Sequence, residues 1–302
     1  MQKQINGNYP TAEFPEERHN NLSTIWQDYS MNKMKLLFTD LDATFLDDDK
    51  NVPESNRIAV QEMLEQGHKV IIATGRSLSS ALLQAERLEL DKPGCYCIAY
   101  NGGQIYEFET RKLIYDKKVP IWCAKKAYEI CRHYGVHIQT YDATHVLTPE
   151  ENDDVKKYSQ LVKVPYKVVP AIFEQLAFEP SKVLMSDFNR TGILKTVQRE
   201  VDEACRGEVD TFFSCEEYLE LVCHGVSKGT AVRFLCDYLH VDLKDTVACG
   251  DAENDIPMIV TAGVGVCMCN GDENVKEKAD YITVHNNNEG GVAEAIRKFI
   301  LK

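Results

Sequence analysis

The stretch "LLFTDLDATFLDDD", Leu36 to Asp49, runs an apolar segment into Asp40 and Asp42, two carboxylates set two residues apart. In an extended chain that spacing points both to one side, where they repel each other and resist leaving water. A buried strand that ends this way needs something to compensate for that cost.

Outward from that strand, "SNRIAVQEMLEQG" (55–67), "KVIIATG" (69–75), "SLSSALLQAERLEL" (77–90) and "CYCIAYNGG" (95–103) alternate helical patterns with short apolar runs. The alternation returns in "SKGTAVRFLCDYLH" (227–240), "TVACGD" (246–251), "GVGVCM" (263–268), "DYITV" (280–284) and "GVAEAIRKFILK" (291–302). Near-continuous apolar strands between amphipathic helices predict an α/β fold, a doubly wound parallel sheet covered on both faces. Between these regions, "VHIQTYD" (136–142), "KVLMSD" (182–187) and "VDTFFS" (209–214) have alternating character and longer polar spacers, as in an α+β module. The expected organisation is a polar extension over residues 1–32, a core formed by 33–116 and 212–302, and an inserted α+β domain over 117–211.

In an open α/β sheet, ligands sit beyond the carboxyl ends of the strands. Asp40 and Asp42 after "KLLFT", Thr74 after "KVIIA" and Asp251 after "TVACG" all fall there, and Lys228 opens a helix behind Ser227, a candidate N-cap. Three acids that one lysine cannot neutralise predict a hard divalent cation. Mg²⁺ suits them best, because it takes oxygen ligands and commonly shares them with a substrate phosphate.

These residues resemble the haloacid dehalogenase phosphatase superfamily, in particular its Cof-type branch with a type IIB cap between the second and third motifs. The resemblance rests on Asp40-Leu41-Asp42-Ala43-Thr44, on Thr74 in "ATGR", on Lys228 in "GVSKG" and on Gly250-Asp251-Ala252-Glu253-Asn254-Asp255, with "YNGG" and "GVGVCMCNG" as further matches. It implies that Asp40 is a nucleophile forming an aspartyl-phosphate and that Asp42 serves as general acid and then base. It implies that Thr74, Lys228 and Asn254 hold the phosphoryl group. Asp40, Asp251 and the backbone carbonyl of Asp42 would ligate Mg²⁺, with Asp255 supporting that shell or capping the helix of "DIPMIV".

One position departs from the pattern, since Ala43 stands where glycine is usual; a left-handed backbone there would cost alanine on the order of 1 kcal/mol. Arg76 is a candidate phosphate contact or a helix-entry residue with surface acids. Asn101 is a candidate substrate contact or a strand-end turn residue. On "VHIQTYD", His137, Gln139 and Tyr141 share one face, the expected substrate surface of the insert.

Composition narrows the partners. With 34 basic and 47 acidic side chains the formal charge is −13, which disfavours nucleic acid and anionic membranes. No apolar run reaches the ~18 residues that span a bilayer, and residues 1–32 lack the apolar centre of a signal peptide. The eleven cysteines occur singly or as C-x-C in apolar runs, which reads as buried reduced thiols and a cytoplasmic location. The expected function is a Mg²⁺-dependent phosphatase for a small phosphorylated metabolite, a sugar phosphate or a phosphorylated cofactor. A phosphomutase or phosphotransferase, a phospho-accepting signalling module and a non-catalytic metabolite binder are the alternatives.

Overall fold

In the computed structural model, which describes residues 33–142 and 144–301, the chain forms an eight-stranded and a six-stranded sheet. The expected extension over 1–32 lies outside the described residues. In the first sheet the strands β1 (Leu36–Thr39), β2 (Lys69–Ala73), β3 (Cys95–Ala99), β4 (Gln104–Glu107), β5 (Lys112–Asp116), β12 (Thr246–Gly250), β13 (Val264–Cys267) and β14 (Tyr281–Ile282) take the order β14-β13-β12-β1-β2-β3-β4-β5. The two strands that carry the paired aspartates and Asp251 are therefore neighbours, with Leu37 opposite Val247.

Six strands of this sheet pair in parallel, as the doubly wound sheet expected from the sequence requires, and the pairings β3–β4 and β4–β5 add an antiparallel edge. The cause is "YNGG". Tyr100, Asn101 and Gly102 all have positive φ (50°, 55° and 112°), which turns the chain back at once and leaves no length for a crossover helix. Gly102 is obligatory there, because a Cβ would lie 2.2 Å from the carbonyl oxygen of Ser227.

Apolar residues cover both faces of the sheet. Leu37, Val70, Ile72 and Val247 pack with Ala59, Val60 and Met63 of the helix Glu54–Glu65 and with Val292 and Ile296 of the helix Gly291–Phe299. Leu36, Phe38, Ile71 and Ala248 pack with Ala231, Val232 and Leu235 of the helix Lys228–Leu239. Each Val, Leu, Ile, Phe or Met among them contributes about 1.5–3 kcal/mol by leaving water. Cys95, Cys97 and Cys249 belong to the first of these layers as buried free thiols.

The second sheet contains β6 (His137–Tyr141), β7 (Val146–Thr148), β8 (Tyr166–Val168), β9 (Val183–Ser186), β10 (Val209–Cys215) and β11 (Tyr218–Cys223), in the order β10-β11-β9-β6-β7-β8. The helices Ile121–Tyr134 and Ile193–Ala204 cover one face through Ala124, Ala127, Leu194 and Val197 against Ile138, Met185 and Leu221. The return to the core expected at residue 212 falls inside β10. β10 and β11 form a hairpin within this sheet, so the insert runs on to about Cys223. In β11 Leu219, Leu221 and Val222 are all buried, with Glu220 buried among them.

Candidate active site

Asp40 follows β1 directly, and its N–H donates to Cys249 O on β12 at 3.0 Å, which ties the two strand ends together. Opposite it, Ser227 caps the helix Lys228–Leu239: its hydroxyl accepts from Thr230 N at 3.1 Å, and Thr230 Oγ1 accepts from Ser227 N. Lys228 is thus the first helical residue, and its side chain is wholly buried. Its ammonium donates to Asp40 Oδ1 at 2.6 Å and to Asp255 Oδ1 at 2.5 Å.

The second oxygen of Asp255 accepts from the backbone N–H groups of Asp251 and Ala252, at 3.0 and 3.2 Å. Both of its oxygens are therefore committed, and it orients the Asp251 turn from behind. Gly250 makes room for this, since a Cβ there would lie 2.4 Å from Asp255 Cβ. Asp251 Oδ1 accepts from Thr44 Oγ1 at 2.5 Å.

Carboxylate oxygens of Asp40, Asp251 and Asp255 lie within 4.8 Å of one another. Burial pushes the Asp40 carboxyl well above its ordinary range; Lys228 opposes this, while Asp255 and Asp251 add to it. Burial likewise raises Asp251, to about 6, against the hydrogen bond from Thr44. For Lys228 burial acts downward, but Asp255 and Asp40 override it and keep the ammonium charged. Three acids around one cation leave an excess of negative charge, and the donors are all hard oxygens. That is the chemistry of a Mg²⁺ site, and the residues present fit it.

Asp42 turns away from this cluster. Arg76 grips its carboxylate in a fork, Nε to Oδ2 at 2.9 Å and Nη2 to Oδ1 at 2.8 Å, and Lys50 adds a contact of 2.9 Å. Burial would raise its pKa, but the guanidinium and the ammonium outweigh that and hold it low. Asp42 is therefore an anion at rest, and its side chain is no part of the cluster of acids. Arg76, left open between two roles by the sequence, is the partner of Asp42. Ala43 next to it is indeed left-handed (φ 57°, ψ 7°).

Thr74 follows β2 and is buried; its hydroxyl accepts from Arg76 N at 3.2 Å. Asn254 donates from Nδ2 to Asn101 Oδ1 at 3.1 Å, and Asn101 donates from Nδ2 to Glu220 Oε2 at 2.9 Å. Glu220 in turn pairs with Lys182 at 3.0 Å. Asn101 thus serves both as a left-handed turn residue and as a side-chain link.

His137, Gln139 and Tyr141 do not form an open polar surface. All three are buried: His137 Nε2 meets Gln139 Oε1 at 3.0 Å, Gln139 Nε2 donates to Tyr141 Oη at 3.3 Å, and Tyr141 Oη meets Tyr158 Oη at 2.7 Å. The helix Asp153–Val162, which carries Tyr158, covers that face. Alternation correctly put the three on one side but could not reveal what covers it. Sequence reasoning also passed over Lys50, Thr44, Lys182 and Glu220. A usable signal existed for the last two, charged residues set against or within the strand runs "VLMS" and "YLELVC".

Residues 37–296 match a family model described as haloacid dehalogenase-like hydrolase. The fold is similar to that of a haloacid dehalogenase-like hydrolase from Bacteroides thetaiotaomicron, 32% identical, with a TM-score of 0.80 over 88% of this chain and 99% of the other. A 5-amino-6-(5-phospho-D-ribitylamino)uracil phosphatase of Bacillus subtilis is 27% identical over 272 residues, 89% of this chain and 96% of its own. The subclass IIB sugar phosphatase BT4131, at 24% identity and a TM-score of 0.73 over 88% of this chain and 99% of its own, shares the fold. Among the described residues no helix is long and apolar enough to cross a membrane.

Proposed function

This chain belongs to the haloacid dehalogenase-like hydrolases and is a phosphohydrolase acting through an aspartyl-phosphate on small phosphorylated metabolites; we propose the following division of labour and substrate preference. The observation that carries it is the cluster of Asp40, Asp251 and Asp255 around the single ammonium of Lys228 at the strand ends.

Asp40 attacks the phosphorus in line, its carboxylate forming the new P–O bond as the ester P–O bond breaks. The leaving oxygen takes a proton from Asp42, which has first to take one up from solvent as it lets go of Arg76 and Lys50. Water then attacks phosphorus, Asp42 accepts the proton, and Asp40 is released with inorganic phosphate. For this cycle Asp42 has to exchange its rest-state grip on Arg76 and Lys50 for the substrate oxygen. Thr74, Lys228 and Asn254 hold the phosphoryl oxygens. Asp40, Asp251 and the backbone carbonyl of Asp42 would hold Mg²⁺, which when bound supplies the charge that attaches a dianionic ester to an acidic site.

Beside Lys228 and Asn254 lies a cavity of about 220 Å³ lined by Phe212, Phe213, Val226 and Pro257. Phe212 is half-buried and belongs to none of the hydrophobic clusters of the described residues. An unclaimed aromatic side chain at this place favours a leaving group with an apolar or planar part, as in a phosphorylated cofactor or its precursor, over a bare sugar phosphate. A hydrolysis screen with Mg²⁺ over pyridoxal 5'-phosphate, ribitylaminouracil phosphate, nucleotides and hexose phosphates tests this. Ring-bearing esters are expected to give the highest kcat/KM, and a clear preference for hexose phosphates would overturn the substrate reading.

A further inference from the structure

Lys182, just before β9, and Glu220, on β11, are buried charges of the insert that touch the phosphate-binding side of the core. The Lys182 ammonium donates to the backbone carbonyl of Gly75, the residue after Thr74, at 3.1 Å and meets Glu220 Oε2 at 3.0 Å. Glu220 accepts from Asn101 Nδ2, and Asn101 N donates to the Thr74 carbonyl at 3.1 Å. The contacts close a ring that runs Thr74, Gly75, Lys182, Glu220, Asn101 and back to Thr74, crossing between insert and core twice. Lys182, Glu220 and Asn101 are each at least nine-tenths buried.

The direction of each bond follows from the carboxylate. An ionised glutamate only accepts, so Asn101 has to turn its NH₂ toward Glu220 and its carbonyl oxygen toward Asn254. That oxygen receives the Asn254 NH₂, so both amides have one way round. Lys182 makes the arrangement tolerable, because a buried carboxylate without a cationic partner is costly.

Resting on the phosphohydrolase reading, we propose that Glu220 and Lys182 are positioning residues, through which the insert fixes the orientation of Asn101 and Asn254 and the Thr74–Gly75 loop for the phosphoryl group. Closure of the insert and assembly of the phosphate site are then one event. Neither residue needs to touch the substrate to control turnover.

The test compares wild type, Glu220→Gln, Lys182→Met/Glu220→Gln and Glu220→Asp, each with and without Asn101→Ala. The readouts are steady-state hydrolysis of p-nitrophenyl phosphate at saturating Mg²⁺, binding of inorganic phosphate by calorimetry, and Tm. The double replacement removes both charges together, so a buried ion is not stranded; Glu220→Asp keeps the charge but draws it back from Asn101. We expect kcat to fall about 10- to 100-fold in these variants, as for a displaced catalytic environment, with Tm of the double variant near that of wild type. On the Asn101→Ala background Glu220→Gln should have no further effect on kcat. Wild-type kcat and phosphate affinity in both the double variant and Glu220→Asp, or independent multiplication of the Glu220 and Asn101 effects, would overturn the proposal. An inactive wild type that also fails to bind phosphate would overturn the phosphohydrolase reading and this one with it.

Discussion

At the ends of β1 and β12 the ammonium of Lys228 holds Asp40 and Asp255 while a third carboxylate, Asp251, lies beside them with only a hydroxyl partner, whereas at the boundary of the insert Lys182 meets Glu220 one to one and the neighbouring amides complete their bonds. The first cluster is unbalanced and the second is closed. Excess buried charge raises the pKa values of its own members and is relieved by a cation, so it marks a place built to bind. A balanced cluster has no such need and serves to hold geometry.

The largest test of this contrast is Asp40→Asn. The amide cannot attack phosphorus, so turnover should fall by about 10⁴-fold or more. Because the substitution also removes one of the unbalanced charges, Tm of the metal-free protein should not fall. A large loss of stability would mean that Asp40 holds the fold together and that the cluster at the strand ends is no more a binding site than the boundary.

Removing Mg²⁺ with EDTA should take hydrolysis to background, and pH then sharpens the comparison. Burial raises Asp251 to about 6 in the metal-free protein, above its value in an unfolded chain. The stability this gives is therefore present at low pH and lost as pH rises through about 6. Mg²⁺ requires the ionised form, so its affinity and the Tm gain it brings should grow from pH 5 to pH 7.5. A Tm gain that is the same at both pH values would remove Asp251 from the metal site.

Gln139→Leu probes the closed side of the comparison. It leaves His137 Nε2 without its partner inside the insert, while Tyr141 keeps Tyr158 and His137 Nδ1 keeps Asn152, at a cost of about 1–3 kcal/mol, the usual penalty for stranding a buried polar group. The ratio of kcat/KM between p-nitrophenyl phosphate and the best metabolite should stay at its wild-type value. If that ratio moved while Tm did not, β6 would be a specificity surface after all.

The two regions also differed in how far they could be read from the chain. Asp40, Thr74, Lys228 and Asp251 were legible because strand ends and one helix start fix where such residues must lie, and adjacency of β1 and β12 brings the acids together. The side-chain partner of Asp42 was not, because the ion pair with Arg76 spans 34 residues and depends on a rotamer rather than a spacing. On β6 the period of two gave the face but not its cover, which comes from Tyr158 on a later helix. The end of the insert lies later than expected because β10 and β11 pair as a hairpin, a contact that the strand patterns alone do not show.

The smallest expected effect concerns Ala43, which joins Asp42 in its grip with Arg76 to Thr44 in its bond to Asp251. Its φ of 57° puts a Cβ in the left-handed region, at a cost on the order of 1 kcal/mol, while its carbonyl accepts from Asn270 Nδ2 at 2.8 Å. Glycine would relieve that strain but would also loosen the unfolded chain, an opposing effect of about 0.4–1 kcal/mol. Ala43→Gly should therefore change Tm by no more than a few degrees. Activity should stay level or rise slightly, because the Asn270 contact still fixes the turn and the charged side chains on either side are untouched. A severe loss of kcat at unchanged Tm would mean that the alanine methyl itself sets the angle between Asp42 and Thr44, and that this site has adapted its catalytic geometry to the strained backbone.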